Sequence, residues 1–161
     1  MRLGFTGTRK GLTYQQRVAL YLLVNESKNE IKEVHHGVCI GSDAEFHDIC
    51  KNFGLKVIGH PGFSKEGHRN TRSWKSEKGC SLLLPERLYV ERDKEIVHSC
   101  DILIATPDSK TERLRSGTWT TIRYARKISK MINIIFPEGE IRLENFGLAT
   151  VDINPPIKGT V

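Results

Sequence analysis

The residues best suited to chemistry gather between Cys100 and Lys127, where the chain reads CDILIATPDSKTERLRSGTWTTIRYARK. The apolar run Ile102-Leu103-Ile104-Ala105 has the character of a buried strand. It ends at Thr106-Pro107, and a polar loop leads to Ser116-Gly117-Thr118, after which a helical pattern begins. The free N–H groups of a first helical turn and the positive end of the dipole both favour an anion. Strand, small-residue loop and helix N-terminus together therefore predict a phosphate site. Gly117 permits close approach, and Thr118 can cap the helix or contact a phosphate oxygen. Trp119, Ile122 and Ala125 read as the buried helix face, a base-stacking role for Trp119 being the other reading.

Other segments carry matching chemistry. Gly7-Thr8-Arg9 offers a close backbone approach, a hydroxyl and a bidentate fork for phosphate; its plain alternative is a tight turn with an exposed arginine. Gly41-Ser42 precedes a helix and can present N–H groups to an anion. Asp43 is either a cap carboxylate or a partner for a ribose hydroxyl. His36 is either structural or a proton-transfer and base-contacting group. In Glu91-Arg92-Asp93-Lys94, Arg92 is a candidate phosphate contact and Glu91 a candidate general acid or base, against a plain charged helix face. Glu112, in the loop before Ser116, is a second candidate acid.

These residues need elements to place them. Strands are expected over 2–6, 33–37, 55–58, 102–105 and 132–136. Helices are expected over 14–24, 44–52, 89–99 and 119–130, with Gly54 closing the second. Strand–helix alternation with short connections predicts a three-layer, Rossmann-like α/β fold: a parallel sheet of about five to six strands with helices on both faces. Ligands bind such sheets beyond the carboxyl ends of the strands, where the glycine-rich loops and the Thr106–Thr118 segment fall. Residues 63–88, rich in Ser, Gly, Lys and Arg, read as one long functional or mobile loop. The domain is expected over 1–137, with 138–161 as a peripheral hairpin or tail of the same domain.

The chain has 161 residues, 27% of them charged and 38% hydrophobic, with a net charge of +6. One soluble globular domain fits these values, and a disordered chain does not. No apolar run reaches the roughly 18 residues of a membrane span. The opening residues lack the apolar core of a signal peptide, so a cytoplasmic protein is expected. Cys39, Cys50, Cys80 and Cys100 have neither C-x-x-C nor zinc-finger spacing, which predicts reduced, mostly buried thiols and no metal. The positive charge permits nucleic-acid binding without requiring it, and an anionic small ligand explains part of it equally well.

The order GFTGTR, HHGVCIGSD, ERDKEIVHSCDILIATP and SGTWTTIRYAR resembles the SLOG superfamily over residues 2–137. Its relatives include the Lonely-guy phosphoribohydrolases, bacterial DNA-processing proteins and nucleotide-sensing domains of defence systems. The resemblance implies a nucleotide held over the sheet, no further cofactor and a homodimer or higher homo-oligomer. In the phosphoribohydrolases a GGxGTxxE motif binds phosphate and supplies a catalytic glutamate, with an arginine ahead of it. Gly117-Thr118 matches the GT and Arg92 the arginine, whereas Thr121 stands at the glutamate position and the first glycine pair is absent. The expected protein therefore binds a nucleoside phosphate or ADP-ribose-like molecule on Gly7, Thr8, Arg9, His36, Gly41, Ser42, Asp43, Arg92, Thr106, Pro107, Ser116, Gly117 and Thr118. Hydrolysis of the N-glycosidic bond of a nucleoside 5′-monophosphate, through Glu91 or Glu112, is the sharper expectation. A non-catalytic nucleotide sensor and a single-stranded nucleic-acid binder are the alternatives.

Overall fold

Strand β1 (Arg2–Gly7) buries Leu3 and Phe5 on one face of the sheet. The computed structural model describes residues 1–147 and 150–153. β1 pairs in parallel with β2 (Glu33–His36) on one side and with the distant β7 (Ile102–Thr106) on the other. β3 (Val57–Gly59) and the short edge strand β5 (Leu82–Leu83) continue the sheet beyond β2, and β8 (Met131–Ile135) extends it beyond β7. These six strands are parallel. β9 (Ile141–Glu144) and β10 (Val151–Ile153) add an antiparallel hairpin at the far edge, giving the order β10-β9-β8-β7-β1-β2-β3-β5.

Side-chain alternation along the strands divides the core in two. Leu3, Phe5, Val34, Val57 and Ile104 pack under α1 (Tyr14–Ser27) and α2 (Ser42–Asn52). Leu103, Ala105, Ile132 and Ile134 pack under α4 (Tyr89–Ser99) and α5 (Gly117–Lys127), with Trp119, Ile122 and Ala125 in that layer. Strands buried on both faces read as continuous apolar runs, which is why the Ile102–Ala105 and Ile132–Phe136 runs were visible in the sequence. Helix α1 begins with a capping box: the Thr13 hydroxyl accepts from the Gln16 backbone N–H, and the Gln16 side chain accepts from Thr13.

The expected loop over 63–88 is not a single loop. β4 (Gly62–Phe63) pairs in parallel with β6 (Arg87–Leu88), α3 (Trp74–Gly79) packs near α2, and β5 joins the main sheet. Each piece is two to six residues long, too short to leave a periodic signature. Charge holds the segment together: Glu86 accepts from both Arg69 and Arg72, and these contacts keep its carboxyl at about 2. The expected C-terminal hairpin corresponds to β9 and β10; residues 148, 149 and 154–161 of that expectation lie outside the described residues. Among the described residues no helix is long and apolar enough to cross a membrane. All four cysteines are free, Cys50 and Cys100 buried, Cys39 and Cys80 partly so.

Candidate functional site

The chain leaves β1 toward β2 and β3, and only later returns to lay β7 and β8 on the other side. The strand order therefore reverses between β1 and β7, and a crevice opens at their carboxyl ends. Gly7 and Thr106, the last residues of the two strands, are register partners there. A Cβ on Gly7 would lie 2.3 Å from Thr106 Oγ1 and 2.6 Å from Ser42 Cβ. Glycine is what lets the β1 loop close over these neighbours.

An inner cavity of about 120 Å³ lies in the crevice, lined mainly by Gly7, Arg9, Gly37, Asp43, Arg92 and Asp93. Arg92 is its fixed cation. It is 6% exposed, its Nη1 donates to the carbonyls of Gly37 (2.6 Å) and His60 (3.1 Å), and its Nε donates to Asp93 Oδ1 (2.6 Å). Among the described residues its Nη2 reaches only the sulfur of Cys39, at 3.7 Å, so there one arm of the fork has no oxygen partner. Burial opposes the charge on Arg92, but Asp93 and Asp43 outweigh it and hold the guanidinium ionised. A Cβ on Gly37 would stand 2.4 Å from Arg92 Nη1, so that loop also requires glycine. The next residue, Val38, has φ 49°, a left-handed conformation costly for a β-branched side chain. Strain of this kind gathers at ligand sites.

Two carboxyl groups flank Arg92. Asp43, in the first turn of α2, is 6% exposed and accepts from the Cys39 backbone N–H at 3.2 Å. Burial, partly offset by Arg92, pushes its carboxyl up to about 6. Asp93 is also pushed upward by burial, with Arg92 and the Thr121 hydroxyl pulling it back. Tyr89 closes the wall: its ring faces the guanidinium carbons of Arg92 at 5.4 Å and Arg9 at 5.9 Å, and its hydroxyl meets Thr71 Oγ1 at 2.8 Å.

Outside this cavity lies a wider basin of about 380 Å³, sharing Gly7, Arg9, Gly117 and Thr118 with it and adding Lys10, Arg113, Arg115 and Asp108, whose carboxylate pairs with both Lys10 and Arg113. Helix α5 opens into this basin. Ser116 is its N-cap, accepting from the Trp119 N–H at 3.3 Å. A Cβ on Gly117 would meet nothing within 4 Å, so this residue faces open space. Helix dipole, free N–H groups and arginines all favour an anion in the basin.

Of the residues named from sequence, Gly7, Thr8, Arg9, Asp43, Arg92, Ser116, Gly117 and Thr118 line the cavity or the basin. The others do not. Glu91 is exposed and pairs with Lys94 at 3.8 Å on the outer face of α4. Glu112 accepts from Arg123 and Arg126, tying the loop to α5. Neither reaches the cavity, so neither is carried forward as acid or base. His36 is fully buried on the α2 side, its Nε2 3.0 Å from His47 Nδ1. Gly41 packs against the Arg9 backbone, where a Cβ would come within 2.3 Å of the Arg9 carbonyl oxygen. Ser42 and Thr106 are buried behind Gly7, and neither hydroxyl has a partner among the described residues. Pro107 accepts from Gln16 Nε2 at 2.8 Å, which anchors α1 rather than a ligand. Asp93, Tyr89, Cys39, Lys10, Arg113 and Arg115 were missed; the signal for Asp93 was its place beside Arg92.

His36, His47 and Cys80 present three metal-ligand atoms within 4.8 Å of one another. Hydrogen bonding argues against an ion there. The Val38 N–H donates to His36 Nδ1 at 3.0 Å, so a neutral His36 carries its proton on Nε2, the atom facing His47. A metal on Nε2 would force that proton onto Nδ1, against the Val38 N–H, whereas metal-bound histidines donate from their second nitrogen.

No protein-family model matches the sequence, and no curated protein does. Solved structures do match. The molybdenum cofactor binding protein of Rippkaea orientalis superposes with a TM-score of 0.62 at 17% identity, covering 84% of this chain and 76% of that one. DNA processing protein A of Streptococcus pneumoniae gives 0.61 at 16%, covering 83% and 49%. The Helicobacter pylori DNA processing protein A, described by its single-stranded DNA binding mode, gives 0.59 at 19%, covering 83% and 64%. The chain has their fold. The Rossmann-like α/β architecture expected from the sequence is thus the architecture of the chain, and it shares that fold with the DNA-processing proteins. The chain spans about half the length of the Streptococcus pneumoniae protein.

Proposed function

We propose that this chain is a cytoplasmic nucleotide-binding protein that hydrolyses the N-glycosidic bond of a nucleoside 5′-monophosphate. One observation carries the reading: a basin lined by basic side chains at a helix N-terminus opens directly into a small cavity where Arg92 lies between the buried carboxyl of Asp43 and the half-buried carboxyl of Asp93. The phosphate occupies the basin, on Gly117, Thr118 and Arg9. The sugar enters the cavity, with the free arm of Arg92 on one of its oxygens. Asp43, whose carboxyl titrates near neutrality, donates its proton to the departing base nitrogen as the C1′–N bond breaks. Asp93, held by its hydrogen bond from Arg92, stabilises the oxocarbenium-like sugar, and water completes the C1′–O bond while its released proton returns to Asp43. Base and ribose 5-phosphate leave. An ADP-ribose-like ligand fits the same basin. The exposed apolar side chains of Leu82, Leu83, Leu88 and Val90 support a homo-oligomer.

Incubation with a panel of nucleoside monophosphates tests this. The expected result is release of free base, with turnover in Asp43→Asn lowered by about 10²-fold or more. Thermal stabilisation by nucleotides without base release would replace hydrolysis by sensing. The open basin with Arg9, Lys10, Arg113 and Arg115 favours a second reading, single-stranded nucleic acid, whose mark would be oligonucleotide affinity falling steeply with salt.

A further inference from the structure

Behind Arg92, away from the cavity, four side chains form a continuous line. Glu33 Oε1 lies 3.2 Å from His35 Nε2, His35 Nδ1 lies 2.9 Å from His60 Nε2, and His60 Nδ1 lies 3.0 Å from Glu95 Oε2. Both rings are buried, His35 at 5% exposure and His60 at 0%. The outer carboxylate oxygens are occupied as well: Lys56 donates to Glu33 Oε2 at 3.1 Å and Arg87 donates to Glu95 Oε1 at 3.0 Å.

Counting protons gives an imbalance. Three contacts need three hydrogens. Two ionised carboxylates and two neutral imidazoles supply two, because each neutral ring carries one N–H. One contact must therefore lack a hydrogen at neutral pH. The buried ring-to-ring contact is the costliest to leave empty, since two lone pairs would face each other at 2.9 Å out of reach of water. The empty contact falls at an end, and the 3.2 Å contact to Glu33 is the longest of the three. The rings then point one way, His35 Nδ1–H to His60 Nε2 and His60 Nδ1–H to Glu95.

We propose that Glu33, His35, His60 and Glu95 form a one-proton switch behind Arg92, which takes a third proton from solvent onto His35 Nε2 as the pH falls and thereby closes the contact to Glu33. The connection to Arg92 is direct: its Nη1 donates to the His60 carbonyl. His60 is thus a positioning residue, and the proton on the line alters how Arg92 is held. The charged neighbours of His35 are Glu33 on its own strand, Lys56 ahead of β3 and Arg2 of β1. His60 faces Glu95 and Arg92 of α4, and His36 also lies close to it. Burial holds both rings below the ordinary histidine value and the glutamates oppose it, so the third proton arrives on the acid side of neutrality.

Long-range proton–nitrogen NMR of the full chain, across about pH 5 to 8, reads the ring nitrogens directly. The expected result is bare His35 Nε2 and His60 Nε2 at neutral pH, and one shared midpoint for both rings below about 6.5. The Arg92 Nε–H signal should shift at that same midpoint. Glu33→Gln can donate an amide hydrogen to His35 Nε2, and it should lower the midpoint by about one unit. Glu95→Gln can donate to His60 Nδ1, and it should move the neutral-pH hydrogen from there to His35 Nε2. Both glutamates are partly exposed, and glutamine keeps their shape, so both variants should fold. Rings that titrate independently, tautomers indifferent to both substitutions, or an Arg92 signal that ignores the midpoint would each overturn the proposal. No ligand enters the experiment, so it stands apart from the proposed hydrolysis.

Discussion

Asp43 is a carboxyl whose environment opposes its charge. Its folded value of about 6 lies above its ordinary 3.8. A carboxyl raised in this way binds its proton more readily when folded. Its contribution is therefore favourable below about pH 4 and is lost as pH rises through about 6. At neutral pH the penalty is on the order of 3 kcal/mol, taken from roughly 1.4 kcal/mol per pKa unit. Asp43→Asn removes the charge, so we expect the variant to gain about 1–2 kcal/mol of stability at pH 7. Urea unfolding at pH 7 and again near pH 4 checks this: the gain should vanish at the lower pH, and a gain that is the same at both would refute it. A carboxylate kept at such a cost marks function, and its place after a glycine-rich loop made Asp43 legible in the sequence. Asp93 and Tyr89 were not legible in the same way. They enter the cavity only because α4 presents them together with Arg92 toward β1, a rotation no single-sequence pattern encodes. Glu91, one residue away from Arg92, points outward for the same reason.

At the scale of elements, the long buried strands and helices were readable and the short pieces were not. Strands β1, β2, β7 and β8 and helices α1, α2, α4 and α5 carry apolar runs or periodic apolar faces, and they sit within a few residues of their expected places. Segment 63–88 carries neither, because ion pairs around Glu86 hold it rather than an apolar face. Helix α5 separates its structural work from its binding work within one turn. Ser116 caps it, Trp119 and Ile122 bury it, and a Cβ on Gly117 would meet nothing within 4 Å among the described residues. Gly117→Ala should therefore leave stability unchanged or raise it by about 0.5–1 kcal/mol, since alanine is the better helix former. Its methyl group would project into the anion basin, however, and lower the affinity for inorganic phosphate. A thermal melt paired with a phosphate titration separates the two effects. If phosphate affinity holds while the helix gains stability, the N-terminus of α5 is not the anion site.

In the whole molecule, the ionisable groups divide the sheet into unequal halves. His35, His36, His47 and His60 lie on or beside β2, β3 and α2, and burial is the first cause lowering each of them. The β7–β8 side and its helices hold no buried histidine among the described residues. A histidine lowered by folding is protonated more readily when unfolded. The stability that its neutral form supports is complete above about pH 6.5 and is lost as pH falls toward the folded value. Asp43 and Asp93, both raised, act in the opposite direction, but the Asp43 window closes at about pH 6 and extends down to 3.8. Between about pH 6.5 and 6 the histidines therefore set the sign, and the protein should lose stability on mild acidification. The loss should begin locally. At about pH 6.2, amide protection relative to the intrinsic exchange rate should fall first in β2, β3 and α2, while β7 and β8, with their aliphatic layers on both faces, keep theirs. A uniform loss of protection across both halves would mean that the histidine clusters do not govern the acid response. Full protection everywhere would mean that the rings are already charged at neutral pH, and the hydrogen-bond directions assigned to the Glu33–Glu95 line would then fail with it.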